Sequence, residues 1–329
     1  MAKVILILLF LGSCTSVDYI ILNDNKIDSK SDIGIITFNI KAIYEKEELE
    51  IDDLMKLINN GTNDFVVFQE LFDESTREKI IERADRNKFS TVIARVDYNS
   101  FPEFIFQDAG LFMMSKYPKV DLSNIDFGCD VENSEGVVYT ILEKEFSSTN
   151  DFLANKSVAG SLFKIDENNM VFLFTAHVQA AGTLEHKLFQ LEQIGTFIET
   201  TVQKIINEKI IDTPENLTVI LAGDFNSNAY SSDRFESMMK ALKYPRDLHK
   251  EFHGTNEEYT FKNRTRRYDY ILSYDKIGKY ELNKINVHSI GVLDITTSKN
   301  ESISDHLAIK ASFNLENAKF TNKEFELSK

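Results

Sequence analysis

Residue types that mark special classes of protein are scarce in this chain of 329 residues, which has no Trp, 4 Pro, 13 Gly and 2 Cys. So little Gly and Pro excludes collagen-like and low-complexity chains, and an apolar share of 43% excludes wholly disordered ones. Two Cys without any Cys/His cluster exclude a disulfide framework and argue against a structural zinc site. A bound metal must therefore take oxygen or histidine ligands.

Basic residues are also in deficit, because 37 Lys plus Arg stand against 52 Asp plus Glu and give a net charge of −15. This charge repels polyanionic nucleic acid unless a local basic groove overrides it, so we expect no nucleic-acid partner. The densest basic segment runs from Lys262 to Arg267. It is either a solvated loop or a surface that faces an anionic phosphate.

The amino terminus has the layout of a signal peptide, since Lys3 precedes the apolar run Val4–Leu11, which is too short to span a bilayer. Leu11-Gly12-Ser13-Cys14 resembles the lipobox of bacterial lipoproteins, where cleavage before the cysteine is coupled to its lipidation. We expect a signal peptide over 1–13, a lipid at Cys14, a tether over 14–30 and an extracytoplasmic protein anchored to the cell-envelope membrane. The alternatives are a secreted protein and a buried first strand.

Short β-branched and aromatic runs alternate with amphipathic segments, which is typical of an α/β protein. The predicted strands are 34–40, 64–70, 170–177, 217–224, 268–274 and 307–313. Ser75-Thr-Arg-Glu78 predicts a capping box that opens a helix to about Lys88, and an apolar stripe from Leu184 predicts a second helix to Ile206. Without internal repeats or a Gly/Ser/Pro-rich linker, we predict one domain over 31–316 and a polar tail over 317–329.

Eight polar side chains lie at or just beyond the predicted strand ends, where α/β folds build their sites. They are Asn39, Glu70, His177, Asp224, Asn226, Asp269, Asp305 and His306. Carboxylates and amides suit Mg²⁺, whereas histidines suit proton transfer and oxyanion stabilisation. The set fits metal-assisted phosphoester hydrolysis. No Gly-x-Ser-x-Gly elbow or Walker-type loop is present, so acyl transfer and nucleoside triphosphate hydrolysis are excluded.

The segments around these residues together resemble the exonuclease/endonuclease/phosphatase superfamily of deoxyribonuclease I-like folds. They are TFNI, VVFQE, TAH, GDFNS, RYDYILS and SDH. The resemblance extends from about Ile33 to Phe313. It implies a four-layer α/β sandwich, in which two mixed β-sheets pack face to face and helices cover the outside.

Within that superfamily the chain looks most like the neutral sphingomyelinases, including bacterial sphingomyelinase C. Residues 69–73 resemble the Gln-Glu-x-Phe-Asp segment of that family, and residues 177–180 resemble its His-x-Gln-Ala segment. Residues 151–157 resemble its Asp-x-x-x-Asn-Lys-Gly segment, although Ser157 replaces the Gly. The Lys of this segment lies near the site in the family, so we expect Lys156 to bind substrate.

The resemblance implies a Mg²⁺-dependent phosphodiesterase that hydrolyses sphingomyelin to ceramide and phosphocholine, with other divalent cations possible in place of Mg²⁺. Glu70 would ligate the cation, with Asn39 and Asp305 in or close to its coordination shell. The partner would be a membrane lipid, and we expect a monomer.

Five further residues would then carry the chemistry. His306 would act as general base on the attacking water, with its imidazole oriented by a hydrogen bond to Asp269. His177 and Asn226 would hold the phosphoryl oxygens as charge accumulates. Asp224 would position water or help to protonate the leaving alkoxide.

Three other functions stay open on the sequence: a nuclease, a phosphoinositide phosphatase, and a surface lipoprotein that binds a ligand while its catalytic residues are idle. Secreted sphingomyelinases that resemble this chain often insert an aromatic β-hairpin into the membrane. The corresponding region, about 279–302, has no Trp or Phe, whereas Phe101, Phe104 and Phe106 are either an apolar contact or buried.

The remaining histidines and the second cysteine carry no prediction of a role. We expect four histidines to be solvated because they fall in helical or loop contexts without an evident partner. They are His186, His249, His253 and His288. We expect Cys129 to be a bystander.

Overall fold

The computed structural model describes residues 17–23, 32–97, 107–128, 131–145, 150–262 and 265–316. The predicted signal peptide, Cys14, most of the tether, Cys129 and the tail lie outside these residues, as do Phe101, Phe104 and Phe106. None of the helices in the described residues combines the length and apolar composition needed to cross a bilayer.

The elements alternate along the chain as the sequence predicts. The strands are β1 (Asp18–Ile21), β2 (Ile33–Ala42), β3 (Phe65–Leu71), β4 (Thr91–Arg95), β5 (Phe112–Ser115), β6 (Glu132–Ser134), β7 (Val137–Ile141), β8 (Ser157–Lys164), β9 (Met170–His177), β10 (Leu217–Asp224), β11 (Arg246–Asp247), β12 (Asp269–Tyr274), β13 (Lys276–Ile277), β14 (Tyr280–Glu281), β15 (Ile285–Leu293) and β16 (Ala308–Leu315). The helices are α1 (Glu48–Asn60), α2 (Glu74–Arg83), α3 (Leu184–Asn207), α4 (Ser232–Ala241) and α5 (Leu248–His253), with short 3₁₀ turns at Asn150–Leu153 and Pro214–Asn216. The six predicted strands are confirmed as β2, β3, β9, β10, β12 and β16.

Two seven-stranded mixed sheets form the centre of the fold. The first has the order β1-β4-β5-β3-β2-β16-β15 and the second β11-β12-β10-β9-β8-β7-β6. Each contains one parallel pair, β2 with β3 and β9 with β10, among antiparallel neighbours. Strands β13 and β14 form a separate two-stranded ribbon.

The central strands are apolar on both faces because both faces are covered. In β2, Ile35 packs between the sheets whereas Ile36 packs under the helices, and in β9 Leu173 and Phe172 divide in the same way. Helices α1 and α2 cover the first sheet, and α3 and α4 cover the second. This arrangement explains the near-continuous apolar runs and confirms the predicted deoxyribonuclease I-like four-layer α/β sandwich.

The predicted boundaries of α2 are wrong at both ends. Asp73, not Ser75, is the N-cap, because its carboxylate already accepts the backbone N–H of Thr76 at 2.7 Å. The helix ends before Ala84, where the backbone becomes extended. Helix α3 is confirmed at both ends, to within a residue, although Leu184 at the start of its predicted core stripe is 48% exposed.

Strand direction brings the predicted residues to one edge of the sandwich. The parallel strands β2, β3, β9 and β10 end at this edge, and their antiparallel neighbours β12 and β16 begin there. In the second sheet Asp224 lies opposite His177 on one side and Asp269 on the other. Gly223 permits this pairing, because a Cβ atom there would lie 2.1 Å from the carbonyl oxygen of Ala176.

Candidate active site

Glu70, Asn39 and Asp224 meet where the two sheets face each other at this edge. The Asn39 amide nitrogen donates to Glu70 Oε1 at 2.9 Å and to Asp224 Oδ2 at 3.0 Å. The Asn39 amide oxygen accepts the backbone N–H of Lys41 at 3.2 Å. In this orientation Asn39 holds the two carboxylates together and does not turn an oxygen toward Glu70.

The backbone at Glu70 is unusual, because this residue has a φ of 54° in the left-handed region. Non-glycine residues occupy that region at a free-energy cost, and such positions cluster at functional sites. The next position of β3 continues the ladder, since the backbone N–H of Leu71 donates to the carbonyl oxygen of Gly110 at 3.0 Å. The surrounding hydrogen bonds therefore hold Glu70 in a strained backbone conformation near the end of β3 that presents its carboxylate at the edge.

His306 and Asp269 form a buried pair beside this group. His306 Nδ1 lies 3.0 Å from Asp269 Oδ2, which leaves Nε2 of the same ring 3.7 Å from Asp224 Oδ2. Burial lowers the pKa of His306, but the carboxylates of Asp269 and Asp224 outweigh burial and raise it to about 10. The hydrogen bond that the resemblance implies is present, and it fixes which ring nitrogen faces the site.

Asp224 is the most perturbed carboxyl group of the cluster. Its side chain is buried, and burial together with the nearby charge of Asp269 raises its pKa, against the opposing effect of His306. Asp224 Oδ2 and His306 Nε2 therefore lie near one another, and the pKa of each group is raised, which favours its protonated form. A proton between them can be held or released at the point where the site opens.

His177 differs from His306 in the direction of its pKa shift. Complete burial and the positive charge of Lys156 lower the pKa of His177 well below its ordinary value. Its Nε2 lies 3.5 Å from Glu70 Oε1 and 4.0 Å from Asp224 Oδ2, and neither ring nitrogen has a hydrogen-bond partner among the described residues. Buried polar groups without partners are rare. This imidazole is therefore placed to bind a ligand atom.

Asp305 and Asn226 lie at the margins of the group. Asp305 Oδ2 forms an ion pair of 2.6 Å with Lys41, whereas its Oδ1 is buried without a hydrogen-bond partner in the described part of the chain. The Asn226 side-chain amide donates to the carbonyl oxygen of Val178 at 2.9 Å, and its backbone N–H donates to Asp224 Oδ1. As oriented, Asn226 supports the loop that follows His177.

Lys156 is fully buried in an ion pair of 2.7 Å with Asp151. Asp151 also accepts the backbone N–H groups of Ala180 and Ala181, at 2.6 and 3.0 Å. The pair therefore holds the segment after His177 and acts on His177 through its charge.

Several residues that hold the site were not predicted from the sequence. Lys41 pairs with Asp305, and Phe261 packs edge-on against His306 with ring centroids 5.1 Å apart. The Ser304 hydroxyl donates to the carbonyl oxygen of Asn39 at 2.7 Å and accepts the backbone N–H of His306. Ser304 and Asp151 lie inside segments that the sequence singles out, which was an available signal. Lys41 and Phe261 had no such signal.

The basic segment is a set of structural pairs where it is described. Arg267 is buried and forms an ion pair with Asp247, and its guanidinium lies over the ring of Tyr270. Lys262 pairs with Asp294 at 2.6 Å. Arg267 therefore neither faces a ligand nor lies in a solvated loop.

The region 279–302 corresponds to the segment where secreted sphingomyelinases often carry an aromatic β-hairpin. Its main element, β15, pairs along its length with β16 at the edge of the first sheet. Ile290 is buried, and Val292 and Leu293 pack against core residues. Apolar residues of this segment are therefore used in packing.

The donor atoms of the site fit a divalent cation. Glu70, His177 and Asp224 each offer one ligand atom, and the three atoms lie within 4.8 Å of one another. The Glu70 side chain is 20% exposed, which leaves room for solvent beside its carboxylate. Carboxylate oxygens with space for water suit Mg²⁺, which keeps part of its hydration shell.

Neither a protein-family model nor a curated protein matches this chain. Solved structures do match. Sphingomyelinase C from Streptomyces griseocarneus superposes with a TM-score of 0.53 at 15% identity, over 87% of this chain and 100% of that one. A beta toxin mutant from Staphylococcus aureus with bound magnesium ions superposes with a TM-score of 0.50 at 17% identity, over 85% and 99%.

A second kind of protein matches equally well. D. rerio TDP2, in complex with a single-strand DNA product, superposes with a TM-score of 0.54 at 16% identity, over 87% of this chain and 100% of that one. Identities this low show a shared fold and leave the substrate open. The chain thus has the deoxyribonuclease I-like fold that bacterial sphingomyelinases, beta toxin and TDP2 share.

Proposed function

We propose that this chain is a divalent-cation-dependent phosphodiesterase that hydrolyses sphingomyelin to ceramide and phosphocholine. The observation that carries the proposal is the buried His306–Asp269 pair, whose second imidazole nitrogen faces Asp224. Beside it lie the Glu70 carboxylate and the His177 ring, which has no hydrogen-bond partner within the described part of the chain. An oriented imidazole, a perturbed carboxyl group and carboxylate oxygens that fit a cation are the parts that phosphodiester hydrolysis by water requires.

Glu70 and Asp305 would hold the cation, and Asn39 would orient Glu70 through its amide. Bound there, Mg²⁺ would polarise a phosphoryl oxygen and neutralise part of the charge that develops on it. The strained backbone of Glu70 supports this role, because the surrounding sheet fixes its carboxylate before any ligand arrives.

The proton transfers would involve His306 and Asp224. The oxygen of the attacking water bonds to phosphorus, and its proton passes to His306 Nε2 while Asp269 holds the ring. The bond from phosphorus to the ceramide oxygen breaks, and Asp224 supplies a proton to that oxygen. The raised pKa of Asp224 suits a proton donor. The raised pKa of His306 means that the ring must lose its proton before it serves as the base.

The remaining predicted residues would hold the phosphoryl group. The lowered pKa of His177 favours a neutral ring, which can donate one N–H. Lys156 would contribute positive charge from beside His177 while remaining paired with Asp151. Asn226 would contribute once its amide turns away from the carbonyl oxygen of Val178.

The choice of sphingomyelin depends on the resemblance of residues 69–73 and 177–180 and on surface character. Ile43 and Tyr44, which are 38% and 83% exposed, follow Lys41 at the site and offer an apolar surface beside it. The overall charge of −15 disfavours a polyanionic substrate. Gln69 of the first matching segment has a structural role, because its side-chain amide donates to the Thr175 hydroxyl of the second sheet. The segments therefore support a shared site architecture as well as a substrate.

A nuclease is the second candidate, favoured by the equal likeness to TDP2 with its single-strand DNA product. We further propose that the protein is extracytoplasmic and anchored through a lipid on Cys14, with simple secretion as the alternative. This location would bring a monomeric enzyme to a membrane lipid. Mass spectrometry of the mature amino terminus tests the location independently of the activity.

One parallel assay separates the candidate substrates. The mature protein is offered sphingomyelin, phosphatidylcholine, phosphoinositide, single-stranded DNA and duplex DNA, each with Mg²⁺ and with chelator. We expect phosphocholine release from sphingomyelin that is lost on chelation and in His306→Ala. Cleavage of DNA without phosphocholine release would refute the lipid substrate while leaving the phosphodiesterase intact. Activity on none of the five would refute both.

A further inference from the structure

A second group of metal-ligating side chains lies outside the candidate active site, on α5 and the loop that follows it. His249 and His253 are four residues apart, so their rings lie on the same face of the helix, with centroids 4.4 Å apart. Glu258 reaches both: its Oε2 lies 2.8 Å from His249 Nε2 and 3.5 Å from His253 Nε2. The expectation that these histidines are solvated is wrong for His249, which is buried.

The spacing of these atoms matches a tetrahedral metal site. Bonds of about 2.0–2.2 Å at tetrahedral angles place neighbouring ligand atoms about 3.3–3.5 Å apart. The separations from Glu258 Oε2 are 2.8 and 3.5 Å, and ligand atoms of all three residues lie within 4.8 Å of one another, so an ion among them requires side-chain movements of about an ångström. The carbonyl oxygen of Ile290 lies 2.8 Å from His253 Nε2 and is near enough to complete the shell or to hold a water molecule.

The donor chemistry selects the class of cation. Two imidazole nitrogens with one carboxylate oxygen favour Zn²⁺ and similar transition-metal ions over Mg²⁺ and Ca²⁺, which prefer oxygen. His249 Nε2 donates to Glu258, and His253 Nε2 donates to the carbonyl oxygen of Ile290. Binding requires that each proton leave Nε2, for Nδ1 or for solvent, so that the lone pair can bind the ion.

The loop that carries Glu258 is held independently of any ion. The Tyr230 hydroxyl donates to the Glu258 carbonyl oxygen at 2.6 Å and accepts its backbone N–H at 2.7 Å. The Val292 backbone N–H donates to Glu258 Oε2 at 3.1 Å. Such supporting bonds orient a ligand and raise metal affinity.

This loop continues directly into the support of the candidate active site. Two residues after Glu258, the Thr260 hydroxyl accepts the backbone N–H of Asp269 at 3.3 Å, and the Thr260 carbonyl oxygen accepts that of Leu307 at 2.7 Å. Phe261 then packs against His306. An ion at His249, His253 and Glu258 would therefore fasten α5 to the segment that holds the His306–Asp269 pair.

We propose that His249, His253 and Glu258 form a structural site for Zn²⁺ or a similar transition-metal ion, separate from the Mg²⁺ site proposed at Glu70. The site ties α5, the loop 254–259 and β15 together behind the His306–Asp269 pair. Its existence does not depend on the proposed function, because metal binding is measured without substrate.

Calorimetric titration of the full chain with Zn²⁺, in excess Mg²⁺ to occupy the other site, tests the proposal. We expect one Zn²⁺ per chain, a raised melting temperature, and a loss of affinity of about 100-fold or more in His253→Ala and Glu258→Gln, because each removes one ligand. The His253 side chain is 19% exposed and lies at a helix end, and Glu258→Gln keeps the side-chain volume, so we expect both variants to fold. Circular dichroism checks this expectation.

Two comparisons keep the outcome unambiguous. His288→Ala, which removes a histidine 49% exposed on β15, should bind Zn²⁺ as the unaltered protein does. Glu70→Gln should also retain the site, and Co²⁺ in this variant should show the visible absorption of a tetrahedral complex. Failure to bind Zn²⁺, equal binding in His253→Ala, or loss of binding in Glu70→Gln would each overturn the proposal.

Discussion

Two histidine–carboxylate clusters are connected by the segment that follows Glu258, but they differ in their ratio of carboxylates to imidazoles. Around His306, two buried carboxylates face one ring, and the pKa of that ring is raised. Around Glu258, one partly exposed carboxylate faces two rings, and burial together with the charge of Arg267 lowers the pKa of His249.

The difference indicates how the same residue types are used for different chemistry. An excess of buried carboxylate holds a proton on the ring, which suits proton transfer. An excess of imidazole over carboxylate offers nitrogen lone pairs to a transition-metal ion. Arg267 lies between the two groups: its ion-pair partner Asp247 caps α5, and its guanidinium reaches the carbonyl oxygen of Asp269.

The largest expected effect is a difference in catalytic activity between variants of the two clusters. His306→Ala should lower phosphodiester hydrolysis by about 10³-fold, the middle of the range for a general acid–base group. His253→Ala should lower it by less than about 10-fold, because His253 touches neither the substrate nor the reacting groups and affects them only through the segment that supports the His306–Asp269 pair. Steady-state kinetics on the preferred phosphodiester measures both. Equal losses in the two variants would remove the functional distinction between the clusters.

A second prediction concerns cation dependence. Glu70→Gln removes a charged ligand but keeps the side-chain shape, so we expect about a 100-fold loss of activity at limiting Mg²⁺ that excess Mg²⁺ partly restores. Glu258→Gln should leave the Mg²⁺ dependence unchanged. Activity titrated against Mg²⁺ concentration after chelation measures this, and an unaltered Mg²⁺ curve in Glu70→Gln would refute its role as a ligand.

The third prediction follows from the raised pKa of His306. A folded pKa of about 10 against an ordinary value of 6.5 means that the charged ring contributes stability below about pH 6.5, and that this contribution is lost as the pH rises toward 10. Asp269→Asn removes the carboxylate that most favours the charged form. We expect a lower His306 pKa and a smaller alkaline loss of stability.

Histidine NMR titration and urea unfolding across that pH range, both with chelator present, measure the two effects in Asp269→Asn. His249 provides the internal comparison, since its pKa should stay below the ordinary value in both proteins. An unchanged His306 pKa in Asp269→Asn would contradict the electrostatic account of the pair.

The smallest expected effect is at the exposed ion pair of Lys41 and Asp305. The two side chains are 46% and 29% exposed, so Lys41→Ala should change the free energy of unfolding by less than about 1 kcal/mol. Lys41 lies at the opening of the site, so we expect KM to change more than kcat. Denaturant titration and kinetics measure the two effects, and a large loss of stability would show that the pair is structural.

Much of the fold could be predicted from local patterns. The apolar runs of β2, β3, β9, β10 and β12 are strong signals because both faces of these strands are buried, and β16 alternates buried with partly buried residues. Short or edge strands such as β6 and β15 carried too few consecutive apolar residues to be predicted. The start of α2 was misplaced because two capping signals, at Asp73 and Ser75, lie two residues apart and only the geometry of the preceding loop selects one.

The candidate site was predictable as a set of residue types but not as an arrangement. Asn226 and Lys156 were assigned to the substrate, whereas the structure shows them bonded to Val178 and Asp151. His249 looked solvated because its partner Glu258 comes from a loop, nine residues further along the chain. Side-chain orientation depends on neighbours that local patterns do not specify.

Local periodicity and residue chemistry were enough to place the strand cores, the apolar stripe of α3 and the polar residues that end the central strands. They could not show that Asn39 and Asp224, separated by 185 positions, share a hydrogen bond, or that the pKa of His306 is raised while that of His177 is lowered. Those properties arise on folding, because sheet order sets the distances between remote residues, and those distances, together with burial, set each pKa.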